Sequence, residues 1–195
     1  MSRFYFACVE AVSAAIFLIP LYYYLNKFRF RNKGTTSAAF LFALYLCTVY
    51  AMSGLPNISY VRFDPKYNFI PFLYFFSDRS SLLNIFLFMP LGLFLPALRS
   101  KFLKFGPTVL FGFLMSAFIE FFQIFTRRAT DINDLITNTF GTILGYFLGK
   151  LLLHFYPKLI LTEDNNELNI ICVSVIVVMF FMQPFLSAYI WNFLL

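Results

Sequence analysis

Apolar residues along the chain fall into six long runs that are separated by short polar or basic segments. The runs cover residues near 4–25, 38–55, 81–98, 107–125, 131–153 and 170–190. Each run is close to the length of about 20 residues that a helix needs to cross the hydrocarbon core of a bilayer. The pattern predicts an all-α fold, a polytopic membrane helical bundle of about six transmembrane helices. We expect residues 1–195 to form a single integral membrane domain.

Composition supports this prediction and leaves little room for a soluble domain. Hydrophobic residues make up 61% of the chain and charged residues 12%, whereas about 25% of residues are charged in soluble proteins. The net charge is +6, and the basic residues lie in short loops between apolar runs. This distribution is typical of residues that set membrane topology or contact anionic lipid. We therefore expect a membrane-embedded protein that binds no nucleic acid. The first run is longer than a signal-peptide core, and we expect it to be retained as a span.

Basic residues predict the orientation of the chain in the membrane. Lys27, Arg29, Arg31 and Lys33 follow the first apolar run, and cations beside membrane ends favour the cytoplasm. Counting spans from this loop places both termini outside and puts the turn at residues 126–130 on the outer face. The proline-containing aromatic connector, residues 54–80, is then expected to lie along the outer interface.

The densest polar chemistry lies between residues 120 and 145, where the fourth and fifth runs meet. Projected on helices, two faces become polar: Glu120, Gln123 and Arg127 on the fourth, and Asp131, Asp134, Asn138, Gly141 and Gly145 on the fifth. Charged groups in a bilayer are costly, so they normally face a bundle interior or a cavity and find partners there. The two glycines should also let another helix approach closely.

These residues predict a polar site at the outer leaflet, built by the third, fourth and fifth spans and called the polar seam below. Asn84 belongs to it because topology puts that residue on the same side of the membrane. The predicted ligand-binding residues are Asn84, Glu120, Gln123, Arg128, Asp131, Asp134 and Asn138.

Three hypotheses account for the polar seam. In the first it is structural: Glu120, Arg128 and Asp131 form a closed ion network, and Thr130 or Asp131 caps the fifth helix. In the second it recognises a lipid or glycolipid head group, with an arginine on phosphate or carboxylate and the other groups accepting from hydroxyls or amides. In the third, Asp131 and Asp134 hold a divalent cation for phosphoryl chemistry on a lipid-linked phosphate or other envelope precursor.

The enzyme hypothesis ranks below binding because the sequence offers few catalytic groups. His154, the one histidine, lies at the other end of the fifth run, and no serine or cysteine has an adjacent base. Cys8, Cys47 and Cys172 lie in apolar runs and are typical of packing residues. We therefore expect no catalytic residue, no metal and no cofactor. The expected partner is a membrane lipid or a lipid-linked envelope precursor.

Residues 60–149 resemble the VanZ-like family of bacterial membrane proteins. The matching positions are Asn68, Pro71, Phe72, Asn84, Pro90, Leu91, Gly92, Glu120, Gln123, Arg128, Asp131, Asp134, Asn138, Gly141 and Gly145. The turn before the family arginine differs here, so Arg127 or Arg128 fills that position, and the spacing to Asp131 favours Arg128. The resemblance implies a multi-pass protein of the bacterial cell membrane. It also implies a link, through the family's named member, to resistance against teicoplanin-type glycopeptide antibiotics that act at the cell envelope.

Overall fold

Helices account for almost all of the fold. In a computed structural model, residues 3–63, 65–71, 79–126, 128–156 and 167–194 are described. The helices are α1 (Arg3–Leu25), α2 (Lys33–Ser53), α3 (Arg79–Leu98), α4 (Phe105–Gln123), α5 (Ile132–Phe155), α6 (Glu167–Val177) and α7 (Gln183–Leu194). Two short strands, β1 (Tyr67–Asn68) and β2 (Thr130–Asp131), complete the described elements.

Six helical segments of the described chain are long and apolar enough to cross a membrane. They are Phe6–Phe30, Lys33–Ser53, Ser81–Leu98, Phe105–Gln123, Ile132–Phe155 and Glu167–Ile190. The last of these joins α6 to α7 through a π-helical turn at Val178–Met182. The predicted fold class and the number of spans are therefore confirmed, and the chain is a multi-pass membrane protein.

The second span begins earlier than its apolar run, because a polar residue caps it. Asn32 precedes α2 in an extended conformation, and its side-chain oxygen accepts from the backbone nitrogen of Gly34 at 2.8 Å. This bond satisfies one of the donors that the first turn of a helix leaves unpaired. Hydropathy alone placed the start near residue 38, because the first turn of α2 is polar.

The chain divides into two compact units. Met1–Val61 and Asn165–Leu195 form the first unit, and Arg62–Asp164 form the second. All seven predicted ligand-binding residues belong to the second unit. The prediction of a single membrane domain over residues 1–195 concerns the association of the two units and stays a prediction.

Polar contacts connect the helices of the first unit. The hydroxyls of Tyr22 on α1 and Ser174 on α6 lie 3.3 Å apart and share a hydrogen bond. After α2, the backbone nitrogen of Ile58 donates to the carbonyl of Phe180 in the π-helical turn, at 3.0 Å. Pro184, four residues after Phe180, has no backbone N–H to donate to that carbonyl, so the carbonyl is available for this contact.

Glycines bring α3 and α5 into close contact in the second unit. A Cβ atom on Gly141 would lie 3.0 Å from the Cα of Ile85, and one on Gly145 would overlap the carbonyl oxygen of Met89. Gly149 continues the same row one turn later. The contacts advance in the same direction along both helices, so α3 and α5 run parallel. The prediction that Gly141 and Gly145 admit a neighbouring helix is confirmed.

Glycines on the facing helices complete this close packing around Thr142 of α5. A Cβ on Gly92 of α3 would lie 2.6 Å from the backbone nitrogen of Tyr146 and would overlap the carbonyl oxygen of Thr142. A Cβ on Gly112 of α4 would lie 2.7 Å from the Cβ of Thr142. Helix α5 is therefore held between α3 and α4, and this arrangement positions the polar seam.

Candidate functional site

The connector before α3 pairs with the turn between α4 and α5. Strand β1 runs parallel to β2, with Tyr67 opposite Thr130 and Asn68 opposite Asp131. The backbone nitrogen of Thr130 also donates to the carbonyl of Lys66 at 2.8 Å. This pairing was not predicted, since two-residue strands show no periodicity in the sequence. It fixes the connector against the polar seam, although residues 72–78, with Phe72, lie outside the described residues.

The side chain of Glu120 is buried at the end of α4 and bonds to the backbone of the turn. Its exposed fraction is 6%, and its Oε2 accepts from the backbone nitrogen of Asp131 at 2.8 Å. The hydroxyl of Thr130 donates to the backbone carbonyl of Glu120 at 3.0 Å. The side-chain oxygen of Glu120 thereby pairs a backbone N–H at the start of α5 that would otherwise lack a partner. Glu120 thus fixes the path of the chain into α5.

Asp131 uses both carboxylate oxygens within the protein. Its Oδ1 accepts from the backbone nitrogen of Asn133 at 2.8 Å, which makes Asp131 the N-terminal cap of α5. Its Oδ2 accepts from the side-chain nitrogen of Asn68 at 3.1 Å. Of the two capping residues that the structural hypothesis allowed, Asp131 is the one used. The negative charge also lies at the positive end of the helix dipole, where it is stabilising.

Arg128 and Asp134 place two more charges beside this carboxylate pair. Both side chains are half-buried, and both lie close enough to Glu120 to interact with it electrostatically. The backbone nitrogen of Arg128 donates to the hydroxyl of Thr126 at 3.3 Å. The structure therefore gathers four of the predicted site residues around the α4–α5 turn. Arg127 lies outside the described residues.

Deeper in the second unit the polar seam consists of amides. Asn138 is 4% exposed, and its side-chain nitrogen donates to the hydroxyl of Ser116 on α4 at 2.9 Å. Its side-chain oxygen is buried and has no hydrogen-bond partner among the residues that the structure describes. Gln123, at the end of α4, is buried as well, with 2% of its surface exposed.

Asn84 on α3 lies at the same level of the helical bundle. It directly precedes Ile85, whose backbone touches Gly141, and Asn138 lies three residues before Gly141. Both asparagines are therefore within about one helical turn of that contact. Asn84 is half-buried, and no hydrogen bond joins its side chain to another described residue. The polar seam thus continues from the α4–α5 turn down to the helix contact.

Three residues outside the predicted ligand-binding set take part in the hydrogen bonds of the site. Asn68 bonds to Asp131, Ser116 bonds to Asn138, and Thr130 bonds to the backbone of Glu120. The sequence did indicate that Asn68 is important, since it is one of the positions in the connector that match the family. Ser116 had none, because a single serine in an apolar run is typical of helix packing.

The acidic residues of the site do not form a compact metal centre in the described part of the chain. There, no group of three or more His, Cys, Asp and Glu side chains could hold a metal ion. Asp131, one half of the predicted cation pair, is already committed to the helix cap and to Asn68. The hypothesis of a cation held by Asp131 and Asp134 gains no support from these contacts.

Comparison with known proteins places this arrangement in a family. The family model described as VanZ/LLP1 matches residues 38–153, which is more than half of the chain and includes the whole polar seam. The chain belongs to the VanZ/LLP1 family. The resemblance over residues 60–149 is thereby confirmed, and the match extends it to most of α2.

Among curated proteins, Protein VanZ of Enterococcus faecium is 39% identical over 79 residues. These residues make up 40% of this chain and 48% of that protein, so the aligned region spans about half the length of the curated relative. No solved structure matches the chain.

Proposed function

We propose that the polar seam binds an envelope lipid, a lipid-linked precursor or a glycopeptide-related ligand at the outer face of the bacterial cell membrane. Occupation of the seam would underlie tolerance to teicoplanin-type glycopeptides. The observation that carries the proposal is the buried side-chain oxygen of Asn138, which has no partner among the described residues.

An unpaired buried acceptor is unfavourable, and this favours a ligand over a purely structural seam. Leaving such a group without a hydrogen bond costs about 1–3 kcal/mol, and the cost is not relieved by lipid tails, which offer no donors. Structural roles account for Glu120 and Asp131, whose carboxylates bond to the α4–α5 backbone. They do not account for Asn138 or Asn84, which a donor from a ligand would satisfy.

The charges at the α4–α5 turn fit a polar head group. Arg128 supplies the planar, permanently charged donor that phosphate or carboxylate groups prefer. Asp134, half-buried on the first turn of α5, supplies an acceptor for hydroxyl, amide or ammonium groups. The amides below them would accept the next polar group of the ligand, and the surrounding apolar helices suit its hydrocarbon portion.

Family membership supports a connection with glycopeptides. The family's named member is associated with lowered susceptibility to teicoplanin-type antibiotics, and these antibiotics act outside the cell membrane. The predicted outward orientation of the α4–α5 turn places the polar seam on the same side as their target. A site that binds an envelope lipid there would alter the surface that the antibiotic meets.

The proposal is tested by removing the two charges that would hold a head group. Arg128→Ala and Asp134→Asn proteins are expressed in a glycopeptide-sensitive host, with membrane levels matched by immunoblot and teicoplanin tolerance measured. Both variants should lose the tolerance that the unchanged protein confers. Arg99→Ala serves as the control, because Arg99 lies beyond the opposite end of α3 in the same unit. Full tolerance in both seam variants would refute the proposal.

A further inference from the structure

The first unit contains a cavity outside the polar seam, where the end of α1 meets the start of α2. Its volume is about 370 Å³. The polar lining is formed by Asn26, Lys33, Thr36 and Ser37, and the apolar lining includes Ile19 and Phe40. The cavity is open and mostly apolar. Its four polar residues, called its polar side below, lie at the membrane end of two spans.

The polar side of the cavity belongs to a strongly basic segment. Lys27, Arg29, Arg31 and Lys33 fall within seven residues, and the sequence has no Asp or Glu between Glu10 and Asp64. The segment itself therefore contains four positive charges and no negative charge. Each such cation beside a membrane attracts anionic lipid.

Hydrogen bonds fix the polar side of the cavity in place. The hydroxyl of Thr36 lies 2.8 Å from both the side-chain oxygen of Asn26 and the backbone carbonyl of Asn32, and its single hydrogen serves one of them. No hydrogen bond joins the amide nitrogen of Asn26 to another described residue, so this nitrogen remains as a donor. The backbone carbonyl of Asn26 accepts from Arg31 at 2.9 Å. Lys33 adds its ammonium group as the first residue of α2. The cavity thus offers an amide donor and a cation on a hydrogen-bonded frame.

We propose that this cavity binds one anionic membrane phospholipid. The phosphate contacts Lys33 and the amide of Asn26, and the start of an acyl chain lies along Ile19 and Phe40. If the cations only set the orientation of the chain in the membrane, their charge is sufficient. A lipid-binding site also requires the cavity beside them. By the predicted orientation, the lipid comes from the cytoplasmic leaflet.

Lipid retention after purification tests the proposal. The protein is exchanged into detergent with dioleoylphosphatidylglycerol or dioleoylphosphatidylcholine, and bound lipid is counted by native mass spectrometry. The unchanged protein should retain phosphatidylglycerol and not phosphatidylcholine. Lys33→Gln should lower retention about fivefold, the effect of one cation beside an anionic surface. Lys27→Gln removes an equal charge whose ammonium lies over the ring of Phe28, 5.5 Å from its centre, and should change retention little.

A second variant separates the cavity from the charge. Ser37→Phe leaves every cation in place but fills the cavity, and it should lower phosphatidylglycerol retention as strongly as Lys33→Gln. Glycerol 3-phosphate, which has no acyl chains, should not displace the lipid. Each variant is used only if its melting temperature in detergent matches that of the unchanged protein, and Ser37→Leu, which also occupies the cavity, replaces Ser37→Phe if it does not. Equal losses for Lys27→Gln and Lys33→Gln, or full retention in the Ser37 variant, would overturn the proposal.

Discussion

The carboxylate of Glu120 accepts a hydrogen bond from the backbone nitrogen of Asp131, 2.8 Å away. This bond joins the end of α4 to the first capped turn of α5, because Asp131 itself caps that helix. A buried acid is thus matched to a backbone donor that would otherwise remain unpaired. The turn that presents Arg128 and Asp134 depends on this contact.

Replacing Glu120 should therefore destabilise the protein more when the new side chain has no hydrogen-bond acceptor than when it has one. Glu120→Ala leaves the N–H of Asp131 unpaired, and we expect a loss of about 1–3 kcal/mol in the free energy of unfolding. Glu120→Gln keeps an oxygen at the same position and should cost less. Denaturant titrations in detergent micelles measure both values. Equal losses for the two variants would show that the acceptor is not what matters.

The bond between Asn68 and Asp131 predicts that the two residues can be exchanged. Asn68→Asp places a second carboxylate beside Asp131 and should destabilise the protein, because like charges then face each other. In Asn68→Asp/Asp131→Asn the donor and acceptor are reversed, while the asparagine at 131 still caps α5. A double-mutant cycle should give a favourable coupling of about 0.5–3 kcal/mol. Additive effects of the two substitutions would contradict the contact.

Close packing of α3 on α5 predicts a sharp contrast between two glycines. A Cβ on Gly145 would overlap the carbonyl oxygen of Met89, whereas one on Gly106 would meet nothing within 4 Å. Gly145→Ala should lower the free energy of unfolding by about 1–3 kcal/mol, the usual cost of overpacking. Gly106→Ala should be neutral or slightly stabilising, because alanine favours the helix. Thermal unfolding in detergent distinguishes them, and equal melting temperatures would argue against the packing.

The predicted orientation is tested at the exposed residue Ala129, in the turn beside Arg128. Ala129→Cys is placed in a chain whose three cysteines have been replaced by alanine. A membrane-impermeant maleimide should label it in intact cells. Labelling only after permeabilisation would reverse the topology and move the polar seam to the inner leaflet.

Sequence patterns were sufficient for the parts of the fold that depend on long-range periodicity. Six apolar runs predicted six spans, and the spacing of Gly141 and Gly145 predicted a close helix contact. These features follow from hydropathy and from helix geometry, and both depend only on the residues within one segment of the chain. The partner of the glycines, α3, was not identified, because the contact depends on tertiary packing.

The local geometry of the site was less predictable for the same reason. Polar residues in a bilayer need partners, and this argument selected Glu120 and Asp131 correctly as residues with buried or capping roles. It did not predict that Asn68 reaches Asp131, since that bond depends on a two-residue strand pair formed across 63 positions of sequence. Neither did it predict that Asn138 bonds to Ser116 on the neighbouring helix.

The binding role of the seam is tested most directly at Asn138. Ser116→Ala/Asn138→Val removes both hydrogen-bonding partners together and substitutes apolar groups of similar size, so the free energy of unfolding should change by less than about 1 kcal/mol. The same change removes the buried acceptor that we assign to the ligand. In a glycopeptide-sensitive host with matched membrane levels, this stably folded variant should lose teicoplanin tolerance. Tolerance equal to that of the unchanged protein would contradict the assignment of the polar seam as a binding site.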